Sequence, residues 1–373
     1  MKRILILSLS EIKRDPRVYR QINALSGSYD LVVSGYGTTP DGVNKFIAII
    51  KKRSLAEIIT NVLLLSFKCY ERYYWSNRRM KVALSNLSNE NYDLVLANDL
   101  ETLPLALKVA GEKPVILDAH EYKPLQFEDR WLWRLLFKKY YDYLARTYLQ
   151  HVRKMFTVAG SIAEEYQHCY GIEALVLSNA TDYVEQEPST VDQQNIRLMH
   201  HGGANQSRHL EKMIEMLNYL DQRFSLYLML INNNPAYLNK LKRMAAFYPQ
   251  VSIIEPVPMQ EIPAFINAYD IGVFLLPPVN FNYQHALPNK LFEFVQGRLA
   301  VAIGPSPEMA NIVREHGFGV VADSFEPEDL AEKLNALSSD DIMKLKQAAH
   351  QAAKGLSSEA NRKLLIREVE KAL

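Results

Sequence analysis

The chain has 373 residues, 48% hydrophobic and 23% charged, with a net charge of +1; this is ordinary for a soluble globular protein and longer than one hydrophobic core usually supports. Cys69 and Cys169 stand far apart and outside any CxxC spacing, which argues against a zinc site and a disulfide framework and makes a reducing cytoplasm the default compartment. No apolar stretch approaches the ~20 residues of a membrane span, Met1-Lys2-Arg3 leads straight into a strand rather than a signal-peptide core, and a charge so near zero suggests no nucleic-acid partner.

Ile4–Leu7 is a short, fully apolar run, the pattern of a buried parallel strand. Asp15 before Pro16 is a good N-cap followed by a first-turn proline, so a helix with Val18, Ile22 and Leu25 on one face follows, and then a strand at Leu31–Val33. This β-α-β opening predicts a doubly wound α/β sheet whose chemistry collects at the carboxyl ends of its strands. That rule places Asp15 and Arg17 on the ligand side. No GxGxxG follows the first strand, so a dinucleotide fingerprint fails.

Residues 54–81 carry apolar positions at helical spacing and predict one long helix; residues 51–81 hold eight Lys/Arg and two Glu. A second such segment, 130–154, holds seven cations and one Asp, with Arg130, Arg134 and Lys138 forming an i, i+4, i+8 stripe among Trp131, Trp133 and Phe137. Basic helices with exposed aromatics can lie on an anionic membrane surface, and equally their apolar faces can pack on a sheet beneath a solvated rim of charge. Between them, strands at 92–97 and 114–117 run into Asn98-Asp99 and Asp118-Ala119-His120-Glu121. A lone histidine is usually structural, but His120 at a strand's carboxyl end beside two carboxylates is placed to donate a hydrogen bond or take a proton.

Residues 181–195 are polar and irregular and mark the domain boundary. A second α/β series opens with a strand at 196–199, the turn His200–Ser207 and a helix from Arg208. Gly202 and Gly203 let backbone N–H groups approach a phosphate. Elements at 225–231, 236–248, 251–254, 259–268 and 271–276 continue the alternation, and amphipathic segments at 326–337, 340–354 and 358–373 close it. Pro288 starts a short helix between the 271–276 and 299–303 strands. Lys290 and Glu293, three apart on one face beside an anion-attracting N-terminus, suit a phosphate and a vicinal diol, or else form an ordinary surface ion pair. The charge divides with the domains: residues 1–180 carry 25 Lys/Arg against 19 Asp/Glu, and the rest 18 against 23.

Asp15-Pro16-Arg17-Val18, Asn98-Asp99 with Leu103-Pro104, Asp118-Ala119-His120-Glu121, Ser178-Asn179-Ala180, Pro288–Glu293 and Pro307-Glu308, in that order over nearly the whole chain, resemble a GT-B-fold glycosyltransferase of the family-4 type. The resemblance implies two Rossmann-like doubly wound α/β domains facing across a cleft. Residues 1–180 would bind acceptor, 181–355 would bind nucleotide sugar, and the helix in 356–373 would pack back on the first domain. It implies sugar transfer from a nucleotide-diphosphate donor to a glycan or lipid-linked acceptor in bacterial surface polysaccharide synthesis, with retention of configuration and with no metal or cofactor; no Asp-x-Asp motif is present.

By position, the resemblance makes His120 the cleft histidine near the transferred sugar, Glu293 the carboxylate for the ribose diol and Arg208 a diphosphate contact, with Gly202, Gly203, Asn289 and Lys290 completing the donor side. Asp15, Arg17, Asp99 and Glu121 are acceptor-side candidates, the first choices for a general base if the reaction inverts. There are departures. His285 stands where the family's first glutamate engages sugar hydroxyls, Gly203 where an arginine is frequent, and Arg298 where a glycine is usual. A nucleotide-sugar 2-epimerase of the same fold and a non-catalytic scaffold subunit are the alternatives. The expected location is cytoplasmic, at the inner face of an anionic membrane.

Overall fold

The computed structural model describes residues 1–51 and 55–373, which form two compact units. The first comprises Met1–Ser178, Asn280–Asn282 and Asn361–Leu373, and the second Asn179–Val279 and Tyr283–Ala360.

The first unit is built on strands β1 (Arg3–Glu11), β2 (Asp30–Tyr36), β3 (Lys45–Ala48), β4 (Leu94–Asn98), β5 (Val115–Asp118), β6 (Lys154–Thr157) and β7 (Ala174–Val176). All pair in parallel, in the order β3-β2-β1-β4-β5-β6-β7. Ile4–Leu7 and Leu94–Ala97 are fully buried because helices cover both faces of a parallel sheet. Strand order reverses between β1 and β4, and the carboxyl ends of those two strands are where such a sheet accepts ligands. Leu365 and Val369 of the terminal helix, Glu359–Ala372, enter this unit's core with Ile4, Ile6 and Val18.

Both long basic helices break. The expected 54–81 helix, whose first residue lies outside the described residues, is three helices: Leu55–Ser66, Tyr70–Ser76 and Arg78–Leu87. Lys68 takes a left-handed φ of +56°, and Asn77 leaves helical geometry to accept a hydrogen bond from Arg79 N (3.0 Å). An asparagine that caps the backbone competes with helix continuation. The 130–154 segment becomes Trp131–Leu136, Lys138–Tyr148 and a 3-10 turn at Leu149–His151, with Lys154 already in β6. Most of the aromatics that suggested exposure face inward: Tyr73, Tyr74 and Tyr140 are buried, and Trp133 packs on Phe127, Phe137 and Tyr141.

The second unit holds β8 (Ile196–Gly203), β9 (Phe224–Ile231), β10 (Val251–Ile254), β11 (Ile271–Phe274), β12 (Ala300–Ile303) and β13 (Gly319–Val321), parallel in the order β10-β9-β8-β11-β12-β13. Order reverses between β8 and β11. The helix expected from Arg208 starts later: Gln206–Arg208 is a 3-10 turn, His209 has φ +49°, and the helix spans Glu211–Glu215. The 259–268 helix is likewise a 3-10 turn, Met259–Glu261, followed by Ile262–Ile266. The short helix after Pro288 runs Asn289–Gln296 between β11 and β12.

Arg298, where a glycine is usual in the resembling family, does adopt a glycine-like φ of +59°. Its side chain is fully buried and donates to the carbonyls of Val184 (2.6 Å), Gln296 (2.8 Å) and Gln186 (3.1 Å). These guanidinium hydrogen bonds to chain carbonyls offset the strain of the backbone. Arg298 is therefore a clamp on the segment after Asn179.

Candidate active site

In the first unit the carboxyl ends of β4 and β5 bring together a charged network. Arg17 meets Asp118 through two parallel hydrogen bonds, Nε to Oδ2 at 2.8 Å and Nη2 to Oδ1 at 2.5 Å, and also donates to Leu177 O at 2.6 Å. Both side chains are buried. Gln21 donates to Asp118 Oδ2 (2.5 Å) and Asn98 Oδ1 (2.9 Å), and His120 Nε2 lies 3.2 Å from the same Asn98 oxygen. His120 is thus held between Asp99, 3.8 Å from its Nδ1, and Asp118, 3.9 Å from its Nε2.

Asp99 itself adopts φ +67°, ψ +152°, a region essentially reserved for glycine and costing on the order of 1–3 kcal/mol. Burial opposes ionisation of its carboxyl, yet Lys123 and His120 outweigh that and hold it below the usual carboxylate range. Lys123 is nearly buried, 3.6 Å from Asp99 and 3.2 Å from Glu101. Burial favours its neutral form, but the two carboxylates and Glu121 prevail and raise it above the ordinary lysine value. Glu101 also accepts from Tyr141 Oη at 3.0 Å.

In the second unit the site forms at the end of β8. An added Cβ at Gly202, whose φ is +127°, would lie 3.5 Å from Lys290 Nζ and 3.7 Å from Arg208 Nη1. Two cations therefore flank a backbone that only glycine leaves bare. Lys290 is buried, its Nζ 3.8 Å from the centre of the Phe274 ring. Burial and the nearby Arg208 push its pKa well below the ordinary lysine value, with Glu293 opposing. Pro288 gives the helix beginning at Asn289 no side-chain cap, so first-turn N–H groups remain for a ligand.

Glu293 is nearly buried, with Oε2 3.5 Å from His201 Nε2. Burial and Lys290 depress His201 to about 3 and hold His200 well below its ordinary value. Both rings are neutral at physiological pH. His200 Nδ1–H donates to Val273 O at 2.9 Å, so the groups here that can carry positive charge toward an anion are Arg208 and Lys290, whose protonation an arriving anion favours. Such a cradle can neutralise an anion of two phosphates while Glu293 accepts from two hydroxyls. Among the described residues no cluster of His, Cys, Asp and Glu has a metal-site arrangement.

The predicted donor-side residues Gly202, Arg208, Lys290 and Glu293 thus converge. Gly203 is adjacent, and an added Cβ there would collide with Asn233 Nδ2 at 2.3 Å, so Asn233 fills the space beside it. His285 follows the short helix Phe281–Gln284, and Asn289 opens the next helix. On the acceptor side Asp99 and His120 come together, with Arg17 behind them as their support. Asp15 is spent on capping Arg17 N (3.1 Å) and Val18 N (3.2 Å), and Glu121 accepts from Gln126 (2.5 Å). Sequence reading overlooked Lys123 and Gln21 and singled out no role for Glu101. Asn98-Asp99 was flagged as a pair, but nothing in spacing announced that Lys123 would fold back over it.

No family model and no curated protein sequence matches the chain. Solved structures do. HepE from Anabaena, in complex with UDP and glucose, superimposes over the whole of both chains with a TM-score of 0.73 at 13% identity. Sucrose-phosphate synthase from Thermosynechococcus elongatus matches over the same extent with a TM-score of 0.73 at 11% identity. WaaG, a glycosyltransferase involved in lipopolysaccharide biosynthesis, matches 96% of this chain and 97% of its own with a TM-score of 0.68 at 14% identity. At such identities the likeness establishes architecture: the chain has two parallel-sheet α/β domains of the GT-B type.

Proposed function

We propose that the protein is a glycosyltransferase that moves a sugar from a nucleotide-diphosphate donor to a glycan or lipid-linked acceptor, in the synthesis of a bacterial surface polysaccharide. The observation that carries this reading is the meeting of Arg208 and Lys290 over Gly202, with Glu293 one turn along the same helix. Two cationic side chains held side by side over bare backbone suit a leaving diphosphate, whose developing charge they stabilise without reorganisation. HepE structures with UDP and with UDP-glucose make UDP the first nucleotide to test.

In this mechanism the second unit binds the donor and the first binds the acceptor. Glu293 accepts hydrogen bonds from the ribose diol, and Arg208, Lys290 and the first-turn N–H groups take the diphosphate. His120, oriented by Asn98 and flanked by Asp99 and Asp118, supports charge building at the anomeric carbon. With retention of configuration the leaving phosphate takes the acceptor proton and no protein base is required. With inversion, Asp99 or His120 becomes the base. Neither route invokes a metal or cofactor.

Calorimetric titration with UDP, ADP, GDP and dTDP tests the donor site, and the absence of binding by all four would defeat it. A non-catalytic reading is favoured by His285 and Gly203 at positions where the family carries polar contacts; UDP binding without turnover on any acceptor would support it. Peripheral membrane contact at the cytoplasmic face is supported by Ile58, Ile59, Val62 and Leu63 on one helix, Phe67 in the turn that follows it, and Trp131, Leu132 and Leu135 on another helix, all exposed. No helix among the described residues is long and apolar enough to cross a membrane. Co-sedimentation with anionic vesicles should fall when Arg130, Arg134 and Lys138 are replaced by Glu.

A further inference from the structure

The turn Lys123–Leu125 has two sides. Lys123 reaches Asp99 and Glu101, whereas Pro124 and Leu125 line a groove of about 700 Å³ within the first unit. Trp131 and Leu135 extend its apolar wall and remain 66% and 67% exposed. The helix that carries them packs against Leu55–Ser66, which presents Ile58, Ile59, Val62 and Leu63 to solvent. An apolar strip therefore runs from the groove out over two helices.

Arg134, Lys138 and Lys139 line the same groove. The break at Phe137 sets Arg134 and Lys138 on successive helices, and Arg130 instead lies over the Phe127 ring. The groove's two acids are engaged elsewhere: Asp142 with Arg146 (3.0 Å) and Tyr170 Oη (3.0 Å), Glu165 with Cys169 Sγ (3.2 Å). No hydrogen bond or ion pair among the described residues occupies the three cations. A soluble sugar can stack on Trp131 but does not match the aliphatic wall of Pro124, Leu125 and Leu135, and a fatty chain alone has no use for three cations. A phosphate ester with a long apolar chain satisfies both.

We infer that this groove binds a lipid-linked phosphate and that the acceptor is of this class, with its phosphate against Arg134, Lys138 and Lys139 and its chain along Pro124, Leu125, Trp131 and Leu135. The acceptor assignment rests on the glycosyl-transfer reading. The groove adjoins the Asp99–His120 cluster through the chain itself: Lys123, beside the groove-lining Pro124, reaches Asp99 and Glu101, and Tyr141, beside the groove-lining Asp142, donates to Glu101.

The test uses the full-length protein and farnesyl phosphate below its micelle concentration, with farnesol and inorganic phosphate as partial ligands. Farnesyl phosphate should bind about tenfold or more tightly than either. Joint Arg134→Glu, Lys138→Glu and Lys139→Glu replacement should cost about tenfold or more while leaving UDP binding intact. If that variant fails to fold, Trp131→Ser and Leu135→Ser, both at exposed positions, should each weaken farnesyl phosphate binding. Equal affinity for farnesol and farnesyl phosphate, unchanged affinity in the variants, or binding only to anionic vesicles would overturn the inference. Farnesyl phosphate binding without any UDP binding would uphold the groove's ligand class and defeat the transfer reading instead. Turnover on soluble sugars at a rate indifferent to the groove variants would uphold transfer and refute the lipid acceptor.

Discussion

The two units bury charge in opposite ways. Around His120 every buried cation has its anion: Arg17 grips Asp118, and Lys123 lies between Asp99 and Glu101. Around Gly202 two like-charged side chains, Arg208 and Lys290, are held close to each other, with Glu293 acting on Lys290. The first arrangement holds itself together and fixes a histidine in place. The second sets two cationic side chains side by side, and in the proposed function it is the donor diphosphate that would relieve their repulsion. Opposite charges held together provide position, and like charges held together provide a place for an anion.

The sharpest way to break this contrast is Arg17→Ala. It leaves Asp118 buried without its guanidinium partner, beside Gln21 and His120, and should cost about 3–5 kcal/mol of stability in denaturant unfolding. A loss below ~1 kcal/mol would mean that the pair is not the anchor described. Next, His120→Ala should lower kcat about 10²–10³-fold while UDP affinity, which belongs to the other unit, stays put; a shift in UDP affinity would blur the division of labour. Glu293→Ala should weaken UDP binding by about 1.5–3 kcal/mol, read by calorimetry, and an unchanged affinity would remove its ribose role.

Smaller in energy but opposite in sign is Lys290→Met. It should stabilise the ligand-free protein by on the order of 1–2 kcal/mol and abolish the thermal shift produced by UDP. The sign follows from linkage. The folded pKa of Lys290 lies below its unfolded value of about 10.4, so in the window between them the unfolded chain binds more protons and stability rises with pH. The Lys290→Met variant should lack that rise. Because a bound diphosphate favours the charged lysine, UDP binding at pH values inside that window should be accompanied by proton uptake, seen as a buffer-dependent calorimetric enthalpy.

Much of this contrast is written locally. Apolar runs of four residues marked the buried strands, Pro288 and the adjacent Lys290 and Glu293 marked the donor-side helix, and Gly202 marked the bare backbone. What sequence reading could not supply came from side chains acting on the backbone or across long separations. Asn77 ends a helix by capping its successor, although the apolar spacing continues through it. Tyr73 and Tyr140, 4.8 Å apart between ring centres, face each other from separate helices, so their apparent exposure was an artefact of counting one helix at a time. Lys123 meets Asp99 only because two strand ends lie side by side, a fact of sheet order and not of spacing. The start of the helix after Arg208 was missed because His209 takes a left-handed turn that no residue type demands.

Asp99 carries a consequence for anyone who alters this protein. Its backbone sits where glycine is at ease and aspartate is not, so Asp99→Gly relaxes the chain at the same moment that it deprives Lys123 of a partner. Relief of that strain is worth about 1–3 kcal/mol, whereas taking one partner from a buried ion pair costs about 3–5 kcal/mol, so Asp99→Gly should melt earlier than the parent despite its easier backbone. The awkward φ angle is tolerated because the carboxylate it carries is worth more to Lys123 than an unstrained turn would be to the chain.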